Sequence, residues 1–565
     1  MTTLTQAFAS AIHRSQYNAP YRGVFPVKCN HNRDVVRAVV EFGRCHGFGL
    51  EVGSKAELVM AVSMLGGEHE HTPLLICNGY KDREYMELAL RVGQLGGGVQ
   101  VVVVMEQPEE VELAIHLLQS QSFRTNSNTV LGIRAKLSTV HGGHWAATSG
   151  ETSKFGLDVR QIMHAVDSLR SASLLTLLAL LHFHVGSQMS ALGEVREALA
   201  EGAALYGELK RGLGCIGLRY LDVGGGLAID YDGSGSESHT SRAYAVEEYA
   251  GAVVAAVAEA CAKRGIVDVP VLVSESGRAL ASHHAVVVFD VLNAPTSADT
   301  DGGVASEEWV VEETSARGEQ QQQHAVIQSL KRILHSMHGG GGGDAPPTKS
   351  ILIDAVNYHK QQALDAFKAG TLSLSGRALA DHLIDAIFHR LAAVCDQPSN
   401  TSSTNTNKSK MVHVNLSIFQ SAVDSWAIGQ VFPILPLSHL HRCPDLTVCS
   451  LADLTCDSDG KIDAFINPHT TTAAATGKSE EEGRPLRSLA LHSLSATTTQ
   501  HYRLGMFLTG VYQETMGSAH NMFGTLNSAT LRVRSGSGSG NGGGGGGNNN
   551  KCSNCNDQRC RHRRR

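Results

Sequence analysis

The chain has 565 residues, of which 42% are hydrophobic and 18% charged, a balance typical of a globular protein with two or more domains. The net charge of −6 indicates no nucleic-acid partner, and no apolar stretch reaches the ~18 residues that span a membrane. The N-terminus lacks the pattern of a secretory signal. Apart from three in the C-terminal tail, the 12 cysteines are scattered, so we expect a reducing compartment.

Eight β-branched apolar runs alternate with helical patterns in the first half of the chain. The runs cover residues 24–28, 48–52, 74–78, 99–104, 130–134, 178–184, 218–223 and 269–275. The clearest helical patterns cover residues 33–42, 55–65, 82–92 and 108–118. Strand–helix alternation predicts parallel pairing, and eight strands is the number that closes a (β/α)₈ barrel. We therefore predict an α/β fold with a (β/α)₈ TIM barrel over residues 1–284; a doubly wound open sheet is the alternative.

The pattern changes after Glu275. Runs at residues 285–292, 351–356 and 411–419 predict strands without regular helices between them, and hence a β-rich C-terminal domain from residues 285–293, 349–357 and 411–528. Helical periodicity at 319–337 and 358–394 predicts a helical insertion over residues 306–396, with low-complexity flanks. Polar stretches at 296–303, 339–348, 397–410 and 469–484 are expected to be disordered.

The tail, residues 529–565, is rich in Gly and Asn and ends in a cluster of arginines. We expect it to be a disordered, solvated basic segment. Its Cys552, Cys555, Cys560 and His562 leave a zinc site as the alternative.

Polar residues follow the predicted strands where those strands end. They are Lys28, Glu51, Asn78, Arg134, His182, His184, Asp222, Gly224, Gly225, Gly226, Glu275 and Arg278, with Glu57 on the helix after the second strand. The C-terminal ends of barrel strands face one mouth, where active sites lie. Lys28 is the most informative, because burying its ammonium is costly while a neutral lysine can form a Schiff base with a carbonyl cofactor.

Each of these residue types suits one part of pyridoxal 5'-phosphate. Lys28 would hold the cofactor covalently, Glu275 would pair with the pyridine nitrogen, and His184 would stack on the ring. The bare N–H groups of the three glycines would cradle the phosphate, and Arg278 would add charge there. Taken singly, the glycines could be a tight turn, His184 a core histidine, and Glu275 with Arg278 a local ion pair.

Residues 453–460, outside the barrel, allow three interpretations. Their Asp-Ser-Asp-Gly sequence suits a surface turn. They could instead form a substrate site, in which Asp457 and Asp459 bind a cationic side chain and Cys456 donates a proton. A calcium loop is the third interpretation, but the ligand pattern continues badly after Gly460.

Over roughly residues 4–527, apart from the low-complexity inserts, the chain resembles the biosynthetic arginine decarboxylases of bacteria and plants. The segments that carry the resemblance are 27–30, 49–55, 77–82, 182–188, 222–226, 275–279, 419–421, 426–428, 455–461 and 505–514. It implies an alanine-racemase-like barrel plus a β-domain, and decarboxylation of arginine to agmatine with pyridoxal phosphate, the first step of polyamine synthesis. Magnesium is also implied, although we assign no ligands to it.

The resemblance also implies roles for individual residues. Lys28, His184 and Cys456 would be catalytic, and Asp457 and Asp459 would bind substrate. The expected cofactor contacts are Lys28, Glu51, His184, Ser187, Gly224, Gly225, Gly226, Glu275, Arg278 and Tyr512. Relatives of this fold form homodimers in which the Cys456–Asp457 pair comes from the other subunit, so we expect a homodimer or larger assembly with shared sites.

The family carries a segment ahead of this chain's Met1, so we expect either a truncated gene model or an unusually short enzyme, and a transit peptide is left open. The compartment is expected to be the cytoplasm or a plastid. Two alternatives remain: an ornithine or lysine decarboxylase of the same fold, and a non-catalytic homologue that regulates polyamine flux.

Overall fold

A computed structural model describes residues 1–95, 98–120, 128–139, 153–292, 324–337, 349–393, 410–444, 446–467, 485–492 and 501–531. The chain forms two units, Met1–Gly524 and Thr525–Arg565. In the second unit, the described residues 525–531 form no helix or strand.

Eight parallel strands close a barrel in chain order. They are β1 (Tyr21–Pro26), β2 (Gly49–Val52), β3 (Leu74–Cys77), β4 (Gln100–Met105), β5 (Thr129–Arg134), β6 (Leu178–His182), β7 (Tyr220–Asp222) and β8 (Val271–Ser274). Strand β1 pairs with β2 on one side and with β8 on the other. The barrel prediction is therefore confirmed, and the open sheet is excluded. Strands buried on both faces explain why the runs are continuously apolar rather than alternating.

Helices surround the barrel and connect its strands. They are α1 (Thr2–Arg14), α2 (Arg33–His46), α3 (Lys55–Leu65), α4 (Arg83–Gln94), α5 (Pro108–Gln119), α6 (Val159–Ser171), α7 (Leu192–Gly207), α8 (Val246–Lys263) and α9 (Gly277–Ala281). Side chains of Asn32, Ser54, Asp82 and Asp158 cap the first turns of α2, α3, α4 and α6 by accepting backbone N–H bonds. These caps determine the residue at which each of these helices begins.

A β-region follows the barrel. Its elements are β9 (Val286–Val291), β10 (Lys410–His413), α13 (Ile418–Ser421), α14 (Val423–Ile428), β11 (Ile434–Pro436), β12 (Leu446–Ala452), β13 (Lys461–Ile462), β14 (Leu489–Leu491), β15 (Tyr502–Phe507) and α15 (Gln513–Met516). Strand β15 lies between β11 and β9 in one antiparallel sheet. In the other sheet, β12 pairs with β10, β13 and β14. A common core that includes Phe289, Leu451 and Leu504 joins the sheets.

Three helices, α10 (Ala325–Ser336), α11 (Lys349–Lys368) and α12 (Leu374–Ala393), form a bundle with its own apolar core. The helical insertion is thus confirmed in kind, but the strand predicted at residues 351–356 is wrong because these residues lie in α11. Their short apolar run fits a strand or a buried helix equally well. Packing decides between them, since Val356 is fully buried against Ile327 and Leu383 in the bundle core.

The strand predicted at residues 411–419 is shorter than expected. Only Lys410–His413 pairs as a strand, and Ile418–Ser421 forms a helical turn. The stretches at 296–303, 339–348, 397–409 and 469–484 lie outside the described residues, as do the tail from 532 and its cysteines. Within the described ranges, no helix is long and apolar enough to cross a bilayer.

Candidate active site

Lys28 lies at the mouth of the barrel, in a 3₁₀ turn (Val27–Cys29) just past the end of β1 rather than in the strand itself. Its Nζ is 3.0 Å from Oε2 of Glu51, a buried residue of β2 that pairs in register with Pro26 of β1. Burial alone would lower the pKa of Lys28, but the carboxylates of Glu51 and Glu275 outweigh it and raise that pKa above its ordinary value. Unliganded Lys28 is therefore a charged, half-exposed group anchored by one carboxylate.

His184 and the three glycines form one wall of the mouth. The N–H of Gly225 donates to Nδ1 of His184 at 3.2 Å. A Cβ at Gly225 would meet the His184 ring at 3.0 Å and the Glu275 carbonyl at 3.3 Å, while Gly224 and Gly226 have φ of +67° and +109°. Side chains are thus excluded for reasons of space and backbone conformation. Burial keeps the pKa of His184 well below its ordinary value, so the ring is neutral.

Glu275 closes the floor of the mouth, within a buried cluster. Its Oε1 accepts from Nδ2 of Asn78 at 2.8 Å, and Nδ1 of His182 lies 3.9 Å from it and 2.9 Å from Asp222 Oδ2. Burial raises the pKa of Glu275 to about 8, with the neighbouring Asp222 carboxylate adding to the effect. Burial likewise raises the pKa of Asp222 to about 7 and lowers that of His182 to about 4. Burial therefore favours the uncharged forms of all three side chains.

Arg278, at the start of α9, forms the opposite wall. Its Nη1 donates to the Tyr231 hydroxyl at 2.9 Å, its Nη2 lies 3.4 Å from Ser187 Oγ, and its guanidinium lies 5.1 Å from the Tyr512 ring centroid. The side chain is buried, yet its Nε has no hydrogen-bond partner among the described residues. A buried guanidinium with an unpartnered Nε is suited to a bound anion.

Tyr512 reaches this wall from the β-region. Its N–H donates to the carbonyl of Cys29 at 2.9 Å, and its hydroxyl accepts from the Cys29 thiol at 3.1 Å. Asn30 Nδ2 holds the same segment through the carbonyl of Gly510 at 2.8 Å. The β-region thereby contributes a residue to the barrel mouth.

Sequence reasoning missed a second set of charges beside the mouth. Lys81 and Glu110 form a fully buried ion pair, with Nζ–Oε2 at 3.1 Å. Glu106 accepts from the N–H of Gly79 at 2.8 Å and pairs with Arg134 at 3.3 Å. The sequence did contain a signal for these charges. Glu106 directly follows the apolar run of β4, and Glu110 comes one helical turn later. Tyr231, which bonds Arg278, had no comparable signal.

The structure does not bring the Cys456 loop to Lys28. Cys456 contacts Asn521, and the Asp457 carboxylate lies 3.5 Å from Nε2 of His520. Asp459 is exposed and its N–H donates to the Asp457 side chain at 3.0 Å. The predicted substrate residues are thus grouped together on an exposed turn, apart from the predicted cofactor residues.

The residues of the mouth fit pyridoxal phosphate. The unpartnered Nε of Arg278 and the glycine wall, which a Cβ would fill, suit the phosphate. Glu275 suits a protonated ring nitrogen, and Lys28 a covalent link. Three potential ligand atoms, from His182, Asp222 and Glu275, lie within 4.8 Å of one another, but they belong to this same floor. Magnesium stays a prediction from resemblance.

Two family models match the chain. Residues 5–282 match the pyridoxal binding domain of pyridoxal-dependent decarboxylases, and residues 320–405 match the arginine decarboxylase helical bundle domain. Fold and site together therefore define a pyridoxal-dependent decarboxylase of the barrel class.

Similarity to individual proteins identifies the family within this class. The biosynthetic arginine decarboxylase of Thermosynechococcus vestitus is 41% identical over 536 residues, which cover 94% of this chain and 76% of that protein. Arginine decarboxylase 1 of Oryza sativa subsp. japonica is 41% identical over 92% of this chain and 66% of its own length. The chain belongs to the biosynthetic arginine decarboxylase family.

Solved structures agree on the fold. The crystal structure of the biosynthetic arginine decarboxylase SpeA from Campylobacter jejuni has a TM-score of 0.72 and 27% identity, covering 92% of this chain and 76% of its own. Diaminopimelate decarboxylase from Helicobacter pylori, complexed with L-lysine, has a TM-score of 0.52 at 14% identity and shares the fold alone.

Proposed function

We propose that this protein decarboxylates L-arginine to agmatine and carbon dioxide with pyridoxal 5'-phosphate, as the first step of polyamine biosynthesis, in the cytoplasm or a plastid. The observation that carries the proposal is the convergence of Lys28, His184, Glu275 and Arg278 on one barrel mouth, in a member of this family.

The chain's own residues divide the task of holding the cofactor. Lys28 provides the covalent attachment, and Glu51, 3.0 Å away, is placed to take up the proton that the amine must lose. Ser187, Arg278, Tyr512 and the glycines 224–226 bind the phosphate. His184, neutral because of its burial, packs against the ring without adding charge.

Pyridoxal phosphate, when bound, supplies a protonated ring that accepts the electron pair left by departing carbon dioxide. Glu275 would hold the proton on that ring nitrogen, because a cationic partner favours the ionised form of this carboxylate, whose pKa burial raises to about 8. Asn78 orients Glu275 through its 2.8 Å hydrogen bond.

Cys456 returns a proton to the α-carbon, and Asp457, with Asp459, holds the guanidinium of arginine. The exposure of this turn, and its contacts to residues 520 and 521 rather than to Lys28, support a homodimer in which each turn serves the partner's barrel mouth.

The test is product release by purified protein supplied with pyridoxal phosphate and with arginine, ornithine or lysine in competition. We expect agmatine and carbon dioxide from arginine in preference to the other two. Release from ornithine or lysine instead would make it a decarboxylase of another basic amino acid, and no release from any of them would indicate a non-catalytic homologue.

A further inference from the structure

Two segments distant in sequence are held on one short scaffold, residues 416–421. The buried Asp453 carboxylate accepts the N–H of Ile418 at 2.9 Å, which fixes the start of the Cys456 turn. On the other side, the N–H of Ser518 donates to the carbonyl of Phe419 at 2.8 Å. Gly517 lies so close that a Cβ there would be 2.2 Å from the Gln420 carbonyl. The scaffold therefore fixes residues 517–521 beside the turn.

Asn521 contacts Cys456 at both its backbone and its thiol. The Cys456 N–H donates to Asn521 Oδ1 at 3.1 Å, and Asn521 Nδ2 lies 3.4 Å from Sγ as a donor. Asn521 has φ of +53°, a left-handed conformation that asparagine adopts more readily than most residues. Sequence reasoning assigned Asn521 no role, and the mouth residues do not need it.

His520 makes the matching contact to Asp457. Its Nε2 lies 3.5 Å from Asp457 Oδ2, an ion-pair distance at which it makes no hydrogen bond to the described residues, and its ring packs edge-on against Phe419 with centroids 4.7 Å apart. Phe419 in turn packs against Trp426, with centroids 5.2 Å apart. Adjacent residues of one segment thus contact the two proposed functional groups of the turn.

We propose that Asn521 and His520 are positioning residues, Asn521 aiming the Cys456 thiol and His520 the Asp457 carboxylate. The inference rests on the proposed function for its kinetic consequences. Asn521 should affect kcat because it acts through the Cys456 thiol. His520 should affect KM for arginine because it acts through the Asp457 carboxylate.

Asn521 is tested by two variants that both tolerate its backbone conformation. Asn521→Gly removes the side chain, whereas Asn521→Asp keeps the oxygen that accepts the Cys456 N–H but replaces the donor to sulfur with a carboxylate. A carboxylate disfavours a neighbouring thiolate, so iodoacetamide should alkylate Cys456 about tenfold more slowly in Asn521→Asp. Peptide mass spectrometry follows Cys456, with exposed Cys443 as the reference thiol in each sample.

Both Asn521 variants should also lower kcat by about tenfold or more, with KM for arginine unchanged within about twofold. Unchanged Cys456 alkylation in both variants would overturn the role of Asn521. Equal slowing at Cys443 would do so as well, because the effect would then not be specific to Cys456.

His520 is tested by His520→Phe, which keeps the ring on Phe419 but removes the nitrogen, and by His520→Gln, which restores a donor. We expect His520→Phe to raise KM for arginine about five- to tenfold with kcat nearly unchanged, and His520→Gln to recover part of that loss. A fall in kcat at unchanged KM would contradict the assignment. If the wild-type protein releases no agmatine, the proposed function fails, whereas the alkylation experiment still decides the role of Asn521.

Discussion

The barrel mouth and the Cys456 turn hold their functional groups in different ways. At the mouth, Glu275 and Arg278 are buried, and strand ends of a closed barrel determine their positions. On the turn, Cys456 and Asp457 are exposed and depend on contacts to residues 520 and 521. The comparison indicates that substitutions at the mouth should affect cofactor binding and stability, whereas substitutions on the turn should affect turnover and substrate affinity alone.

Lys28→Ala should have the largest effect at the mouth. We expect agmatine release to fall by about 10³-fold or more, because no other amine replaces the covalent attachment. Borohydride reduction followed by peptide mass spectrometry should find the cofactor on Lys28 in the wild type and on no residue in the variant. Cofactor attached at a different lysine would contradict the assignment.

Lys81→Met tests whether the charges beside the mouth are structural. It leaves Glu110 buried without its partner, so the free energy of unfolding, measured by urea denaturation, should fall by about 3–5 kcal/mol. The double variant Lys81→Met/Glu110→Leu should regain much of that loss. Arg83→Met, which breaks an exposed pair with Glu87, is the control and should cost about 1 kcal/mol or less. Equal losses from both pairs would refute the argument from burial.

Gly225→Ala tests the glycine wall. The added Cβ approaches the His184 ring, and overpacking of this size costs about 1–3 kcal/mol, so the Kd for pyridoxal phosphate should rise about five- to 150-fold. Fluorescence titration of the cofactor-free protein measures it. Gly251→Ala on α8 is the matched control, because its Cβ would have no neighbour within 4 Å. If Gly225→Ala and Gly251→Ala have the same Kd for pyridoxal phosphate, the glycine wall does not contribute to cofactor binding.

Asp457→Ala tests the turn. We expect KM for arginine to rise about tenfold while the Kd for pyridoxal phosphate is unchanged, because the carboxylate lies beside His520 and not among the residues proposed to hold the cofactor. Ser458→Ala, an exposed neighbour, provides the control in the same steady-state assay. A higher Kd for pyridoxal phosphate in Asp457→Ala would contradict the proposed difference between the barrel mouth and the Cys456 turn.

The last effect, stated per pH unit, is a pH dependence that arises at the floor of the mouth. Glu275 has a pKa of about 8 in the fold and an ordinary value of 4.5, so between these values the folded state holds the extra proton. Stability of the cofactor-free protein should therefore fall as pH rises through this range, by up to about 1.4 kcal/mol per pH unit. Glu275→Gln should flatten the slope in thermal melts; an unchanged slope would assign it to other groups.

The sequence alone predicted the barrel well, because strands buried on both faces give long apolar runs and most of these runs end in a polar residue. It placed Lys28, His184, Glu275 and Arg278 at one mouth for the same topological reason. It failed at residues 351–356, where a short apolar run fits two structures and only the bundle core decides between them.

Contacts between distant segments also could not be predicted from the sequence. The pairs Tyr231–Arg278 and Asn521–Cys456 join residues whose proximity follows from loop paths, which hydrophobic periodicity does not encode. The roles assigned to the site residues remain predictions that the variants above examine.

The contact between Tyr512 and Cys29 joins residues 483 positions apart. A ribosome adding ~5–20 residues per second needs roughly 25–100 s to reach Tyr512 after it has added Cys29. During that interval the nascent barrel exposes an unfinished mouth, with its lysine and thiol open to cellular aldehydes and electrophiles. This part of the mouth is thus complete only after Tyr512 has been synthesised.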